Sequence, residues 1–460
     1  KIGDGQWIGD YASRVHQDID VAVTLHNLFD QRLDLLFLRH VGWQILAAER
    51  RYEGAGIGPV GDDDLRASGG ESPRCRQSDA RSSARVLRQL GVDVSPLTAG
   101  RVVKVTGRGR LRRPAESLDC GNSGTTTRLL LGILAAHRFP ARLTGDRSLC
   151  RRPMRRVTVP LIAMGARITE HGASGTLPLT IRGGALTGLR HEMPVSSAQI
   201  KGCLLLAGAV ARVPVAVREP HGRSRDHTER LLRAFGFRVE ERDGWVELEP
   251  TGAFAPFQMQ VPGDPSSAAF PVGAAILAEG GSLRITGVCV NPTRVGFLRV
   301  LERMGARVRL EELEIRFDEP VANLVVQPAS LRATEVSESE IPALIDEIPI
   351  LAVLATRATG TTVFRGVGEL RVKESDRLGL IAANIRALGG RAEALGDDLF
   401  VSGTEASPRG RVVTEGDHRL AMAFTVLGTV PGARVTVDDP ACAAVSFPGF
   451  RELLRKLRQV

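Results

Sequence analysis

VLERMGARV, residues 300–308, recurs in four altered copies: VLRQLGVDV at 86–94, PLIAMGARI at 160–168, LLRAFGFRV at 231–239 and NIRALGGRA at 384–392. Each copy reads as the last turns of an amphipathic helix, a glycine in the left-handed C-terminal position, and an alternating strand. The glycines Gly91, Gly165, Gly236, Gly305 and Gly389 are spaced 69–84 residues apart. This period predicts an α/β (α+β) chain built from a helix–strand module of about 70 residues, a length that builds domains rather than solenoid turns.

Working outward, small-residue apolar helices recur inside each module: RLLLGILAA, KGCLLLAGAVA, SSAAFPVGAAILAEG and IPILAVLATRATG. The stretch PTGAFAPFQMQVPGD at 250–264 falls between the third and fourth copies and is the expected domain boundary. We expect a first domain at 78–252, a second at 253–460, and an atypical segment at 1–77 that holds both tyrosines and ends in GDDDLRASGGESPRCRQSD.

The 460 residues, 43% hydrophobic and 25% charged, are enough for a sizeable core and exclude a disordered or collagen-like chain. The longest apolar runs, Leu129–Ala136 and Ala268–Ala278, are shorter than the roughly 20 residues of a membrane span. No charged-then-apolar leader opens the chain, so a cytoplasmic location is expected. Six scattered cysteines with no CxxC pair disfavour zinc and disulfides. The net charge of +9 is spread along the chain and aromatics are 4%, which points to anionic small substrates rather than nucleic acid. Lysine is rare: Lys1, Lys104, Lys201, Lys373 and Lys456 are the five lysines among 61 basic residues, so a Lys inside a motif is informative.

Three segments carry candidate chemistry. ELRVKESDRL (369–378) sets Lys373, Glu374, Asp376 and Arg377 together, either as a solvated helix start or as a proton-transfer group in which each charge shifts its neighbour. In IPALIDEIPILAVLA (341–355), Asp346 and Glu347 interrupt an apolar run; they are surface acids at a helix start, or buried acids with proton affinity raised toward that of a general base. DCGNSGTTTRLLLG (119–132) is a small-residue loop entering a helix, suited to an oxyanion. Arg-bearing turns at 145–154, 223–230, 291–297 and 416–424, with VSSAQIKG at 195–202, would make an anion pocket if they converge.

These segments, with VPGDPSSAAFPVGAAIL, NPTR and SFPGF, occur in an order that resembles the bacterial 5-enolpyruvylshikimate-3-phosphate synthase family over about residues 78–450. The resemblance implies an enolpyruvyl transferase fold, an inverse α/β barrel of two similar domains with three βαβαββ units each, the sixth unit completed by both chain ends. It implies transfer of the enolpyruvyl group of phosphoenolpyruvate to the 5-hydroxyl of shikimate 3-phosphate with release of phosphate, by a monomer, with no metal or organic cofactor and no nucleic-acid or membrane partner. By motif match, Asp346, Glu374 and Lys373 are catalytic. Gly124, Arg152, Gln199, Arg377 and Arg419 match the phosphoenolpyruvate side. Ser197, Ala198, Gln199, Arg225, Asp346 and Lys373 match the shikimate 3-phosphate side, with Ser196 beside them. Gly124 also implies sensitivity to glyphosate.

The chain departs from that pattern at its start. The family's PGDKSISHR-like opening has no counterpart in residues 1–77, the match resumes abruptly at Ser78–Asp79, and Ser446 or Val460 falls where the family carries a Lys near its C-terminus. A charged hydrogen bond to a dianion is worth about 1.5–3 kcal/mol, and each one missing weakens binding by that amount. Reduced turnover is expected, in the extreme a homologue that binds ligand silently.

Overall fold

The computed structural model describes residues 22–24, 79–97, 103–107, 110–220 and 223–457, so expectations for the rest of 1–77 lie outside the described residues. The helices run in order α1 (Asp79–Gln89), α2 (Gly124–Leu134), α3 (Arg155–Ala163), α4 (Ala198–Ala211), α5 (His227–Ala234), α6 (Pro265–Ile276), α7 (Gly296–Arg303), α8 (Ile348–Ala355), α9 (Arg377–Ala387), α10 (His418–Leu427) and α11 (Phe450–Leu457).

The odd-numbered helices α1 to α9 each end at one of the five repeated glycines. All five glycines have positive φ, from 76° to 111°, a conformation in which a Cβ would crowd the backbone. After α7 the chain shows the expected cap: Ala306 N donates to Leu301 O at 2.9 Å and Gly305 N to Glu302 O at 3.0 Å. The even-numbered helices α2 to α10 are buried along most of their length. They carry mostly small and apolar residues, with buried positions on all sides, and such helices need an all-round apolar environment.

One module shows how strands complete the unit. Leu189–Glu192 leads through α4 to the parallel strand Val215–Arg218, and α5 then leads to the hairpin Arg238–Arg242/Trp245–Glu249, whose second strand pairs antiparallel with Val215–Arg218. The same strand order recurs in the sheets built on Ala141–Thr144 and on Thr361–Phe364. Strands such as Val215–Arg218 alternate buried and exposed residues, so each sheet shields the buried helices on one face. The described residues of 1–77 form the strand Ala22–Thr24, which pairs with Gln258–Gln260 and with Val103–Lys104.

Buried apolar side chains form two clusters. The first extends past the expected boundary at 252 to Val261, and the second begins at Ala268. Among the described residues no helix is long and apolar enough to cross a membrane.

Candidate active site

The buried helices aim their N-termini into one cleft of about 770 Å³ between the two clusters. Gly124 and Thr125 open α2, Ala198 and Gln199 open α4, Asp264 caps α6, Asp346 precedes α8, and His418 and Arg419 open α10; all line the cleft. Side-chain caps fix three of these ends: Ser123 Oγ accepts from Thr126 N at 3.1 Å, Asp264 from Ser267 N at 3.0 Å, and Asp417 from Arg419 N at 2.9 Å. Helix N-termini attract anions, so the backbone alone gives this cleft a preference for negative charge.

Side chains add to it. On one wall Arg152 Nη2 donates to Asn122 Oδ1 at 2.6 Å, Arg128 donates to Gln199 Oε1, and Gln199 Nε2 donates to Thr125 Oγ1 at 2.7 Å. Burial, then the nearby Arg152 and Arg156, push the Arg128 guanidinium down to about 10. Gly124 sits under this cluster, where a Cβ would stand 3.1 Å from Arg152 Nη1 and 3.5 Å from Arg128 Nη1.

On the opposite wall Asp346 is the hub. Its carboxylate pairs with Arg225 from across the cleft, lies 3.4 Å from Arg377 Nη1 and 3.6 Å from Arg419 Nη2, and its carbonyl accepts from Arg419 Nη1 at 3.3 Å. Burial alone would raise its proton affinity, but Arg419, Arg225, Lys373 and Arg377 outweigh burial and hold the carboxyl well below the usual range. The expectation of a raised Asp346 is therefore corrected. Its buried neighbour Glu347 is the acid that is pushed up, by desolvation and by the Asp346 charge. Arg377 is wholly buried, 2.5 Å from Glu374 Oε2 and 2.7 Å from Asp417 Oδ2. It holds Glu374 well below the ordinary carboxylate range, while burial lowers Lys373 from the ordinary lysine value.

A family model described as EPSP synthase (3-phosphoshikimate 1-carboxyvinyltransferase) matches residues 74–454. The chain belongs to the EPSP synthase family. Proteins named 3-phosphoshikimate 1-carboxyvinyltransferase from Desulforamulus reducens and Pelotomaculum thermopropionicum are 42% and 46% identical, each covering 82% of this chain and 88% of the relative. An EPSP synthase structure from Acinetobacter baumannii superposes with a TM-score of 0.74 at 33% identity, over 95% of this chain and 96% of that one. The enolpyruvyl transferase NikO from Streptomyces tendae, at 17% identity and a TM-score of 0.65, shares the fold.

The residues that the EPSP synthase resemblance singles out come together. Gly124, Arg152, Ser196, Ser197, Ala198, Gln199, Arg225, Asp346, Lys373, Glu374 and Arg419 all line the cleft. Arg377 is absent from the cleft wall and supports it from beneath, its charge taken up by three carboxylates. Ser446 lines the cleft, whereas Lys456 pairs with Glu452 on the exposed side of α11. Lys201, marked by the rarity of lysine, is a buried partner of Glu219 and Glu229, each at 2.8 Å. Sequence reasoning missed His418, a cleft residue that burial lowers to about 4 and so keeps neutral; in GDHRLAMAF the Arg draws attention first. It also missed the pair Arg156–Glu369, which joins the two walls at 3.0 Å.

Proposed function

We infer that this EPSP synthase family member transfers the enolpyruvyl group of phosphoenolpyruvate to the 5-hydroxyl of shikimate 3-phosphate, releasing inorganic phosphate. The observation that carries the reading is the convergence of helix N-termini and arginines on one cleft with ionised acids at its centre. Both substrates carry a phosphate and a carboxylate, and bidentate Arg contacts suit both groups. Arg152, Arg419 and Gln199, with Arg377 behind them, are read as the phosphoenolpyruvate side. Ser197, Ala198, Gln199 and Arg225 are read as the shikimate 3-phosphate side, the ring lying between Arg225 and Asp346 with Lys373. Asp346 takes the proton of the attacking 5-hydroxyl, and Glu374 with Lys373 exchanges protons at the phosphoenolpyruvate methylene. Bound dianions raise the proton affinity of both acids by like-charge repulsion, which moves them from the depressed values of the free cleft toward working range.

The reading further takes residues 78–252 and 253–460 as the two domains, the enzyme as a cytoplasmic monomer, and its partners as these two substrates alone, without nucleic acid or membrane. The test is phosphate release from the purified full chain given both substrates. Release that needs both is expected; none, with either or both, overturns the reading.

Gly124 gives a second expected result. The methyl group of Gly124→Ala would displace the Arg152 guanidinium, loosening charged hydrogen bonds of about 1.5–3 kcal/mol each. The KM for phosphoenolpyruvate rises about tenfold and glyphosate inhibits less, with the KM for shikimate 3-phosphate within about threefold. Steady-state kinetics with each substrate varied in turn checks the split.

A further inference from the structure

Three sequence motifs hold residues to which the chemistry above gives no role: Asp226, His227 and Arg230 of RDHTER (225–230), Asn291, Thr293 and Arg294 of NPTR (291–294), and VPGD (261–264), where Asp264 caps α6. The structure brings them to one buried polar knot at the edge of the cleft, whose wall His227, Asp264 and Arg294 reach while Asp226, Asn291 and Glu319 lie deeper. From one side come Asp226, at the N-cap of α5, and His227 and Arg230 within that helix, whose Leu231 and Leu232 sit in the first cluster. From the other come Asn291, Arg294 and Glu319, flanked by Val290 and Ala322 of the second cluster. Asn291 Nδ2 donates to Asp226 Oδ1 at 2.6 Å and to Glu319 Oε2 at 2.9 Å, so one amide bridges carboxylates from both sides. Thr293 Oγ1 lies 3.1 Å from Asp226 Oδ1, and Arg294 Nη2 donates to Asp264 Oδ1 at 2.7 Å. His227 Nδ1 lies 2.7 Å from Glu319 Oε1, and its Nε2 lies 3.3 Å from Arg294 Nη1. A guanidinium only donates, so Nε2 must accept and Nδ1 carries the proton toward Glu319.

We propose that Asn291, Asp226 and His227 are positioning residues: their knot is the fixed joint between the two halves, and it sets where Arg225 meets Asp346 across the cleft. Apolar packing would hold two halves together at least as well as buried ions do. What directional bonds add is orientation, since Asn291 holds carboxylates from both sides at hydrogen-bonding distance and a shift of either side lengthens those bonds. Arg225 directly precedes Asp226, so the chain leaves the joint straight into its ion pair with Asp346. A displacement of about 1 Å at reacting groups lowers turnover by about 100-fold, so a joint need shift little to matter.

The inference rests on the transferase reading, and its test separates the two. Asn291→Asp keeps the shape but sets a third carboxylate against Asp226 and Glu319, with Arg230, His227 and Arg294 as the surrounding groups. In the full chain we expect folding by circular dichroism, a larger radius of gyration by small-angle scattering, and kcat about 100-fold below wild type. The introduced carboxyl, raised by its two acidic neighbours, takes up a proton as pH falls and donates again, so the variant-to-wild-type kcat ratio rises toward pH 5. A folded variant with wild-type scattering and kcat within about threefold overturns the joint, as does a ratio that stays flat or falls with pH. If Asn291→Asp does not fold, Thr293→Val, which removes one hydroxyl and adds no charge, must still lower kcat about tenfold. If the wild type releases no phosphate, the transferase reading fails while scattering still decides the joint.

Discussion

Asp346→Asn is expected to lower kcat about 10³-fold while leaving the KM values for both substrates unchanged or lower. General acid–base catalysis by one positioned group contributes about 10²–10⁴. In this cleft the group removed is also the anion that Arg225, Arg377, Arg419 and Lys373 all face. Neutralising it frees positive charge toward the substrate phosphates and carboxylates, so binding is spared or strengthened while proton removal is lost. A residue acting only to hold the wall together would raise KM instead. Because the four cations keep the Asp346 carboxyl well below the usual range, it is ionised in the free enzyme across the neutral and mildly acidic region. The acid limb of kcat/KM therefore does not come from Asp346, and any limb seen above about pH 5 belongs to another group. Measuring kcat and both KM values for Asp346→Asn from pH 5 to 9 checks this; kcat within tenfold of wild type would remove Asp346 from the chemistry.

How far the sequence carried this picture depended on the range of the interaction involved. The helix–glycine–strand phrase is local, so its five copies are visible without knowing what touches what, and all five glycines take the left-handed conformation. The buried helices were equally legible, since IPILAVLA and KGCLLLAGAVA have no polar face to present to water. The cleft residues were reachable through motif order, which places each residue without explaining it. What failed was electrostatic. Asp346 in an apolar stretch suggests a raised proton affinity only if the cations that come from residues 225, 373, 377 and 419 are left out, and those are up to 121 residues away in sequence. The joint was illegible for the same reason: RDHTER and NPTR each read as an Arg-bearing turn and VPGD as the end of a domain boundary, and their common purpose appears only when Asn291 is seen between Asp226 and Glu319.

Glu374→Gln is the complementary case, with an expected loss of about 10³-fold in kcat and shikimate 3-phosphate still bound. Glu374 follows Lys373 in the short link between the 3₁₀ turn Gly368–Val372 and α9, so an element anchors the chain two residues before it and three after it. Arg377, 2.5 Å away and wholly buried, aims it; Asp417 at 2.7 Å keeps that guanidinium in place when Glu374 is neutralised. The Gln variant thus keeps the geometry and loses only the exchangeable proton site. Its effect should also reach Lys373, whose ammonium Glu374 helps to stabilise: removing the carboxylate lowers the amine further. The same substitution removes one of the charges that raise His418, leaving that ring still neutral. Calorimetry with shikimate 3-phosphate and single-turnover phosphate release divide binding from chemistry. Retained binding with lost release places Glu374 on the proton path; equal losses in both would assign it to holding Arg377 and the cleft wall, and Lys373 alone would then carry the proton.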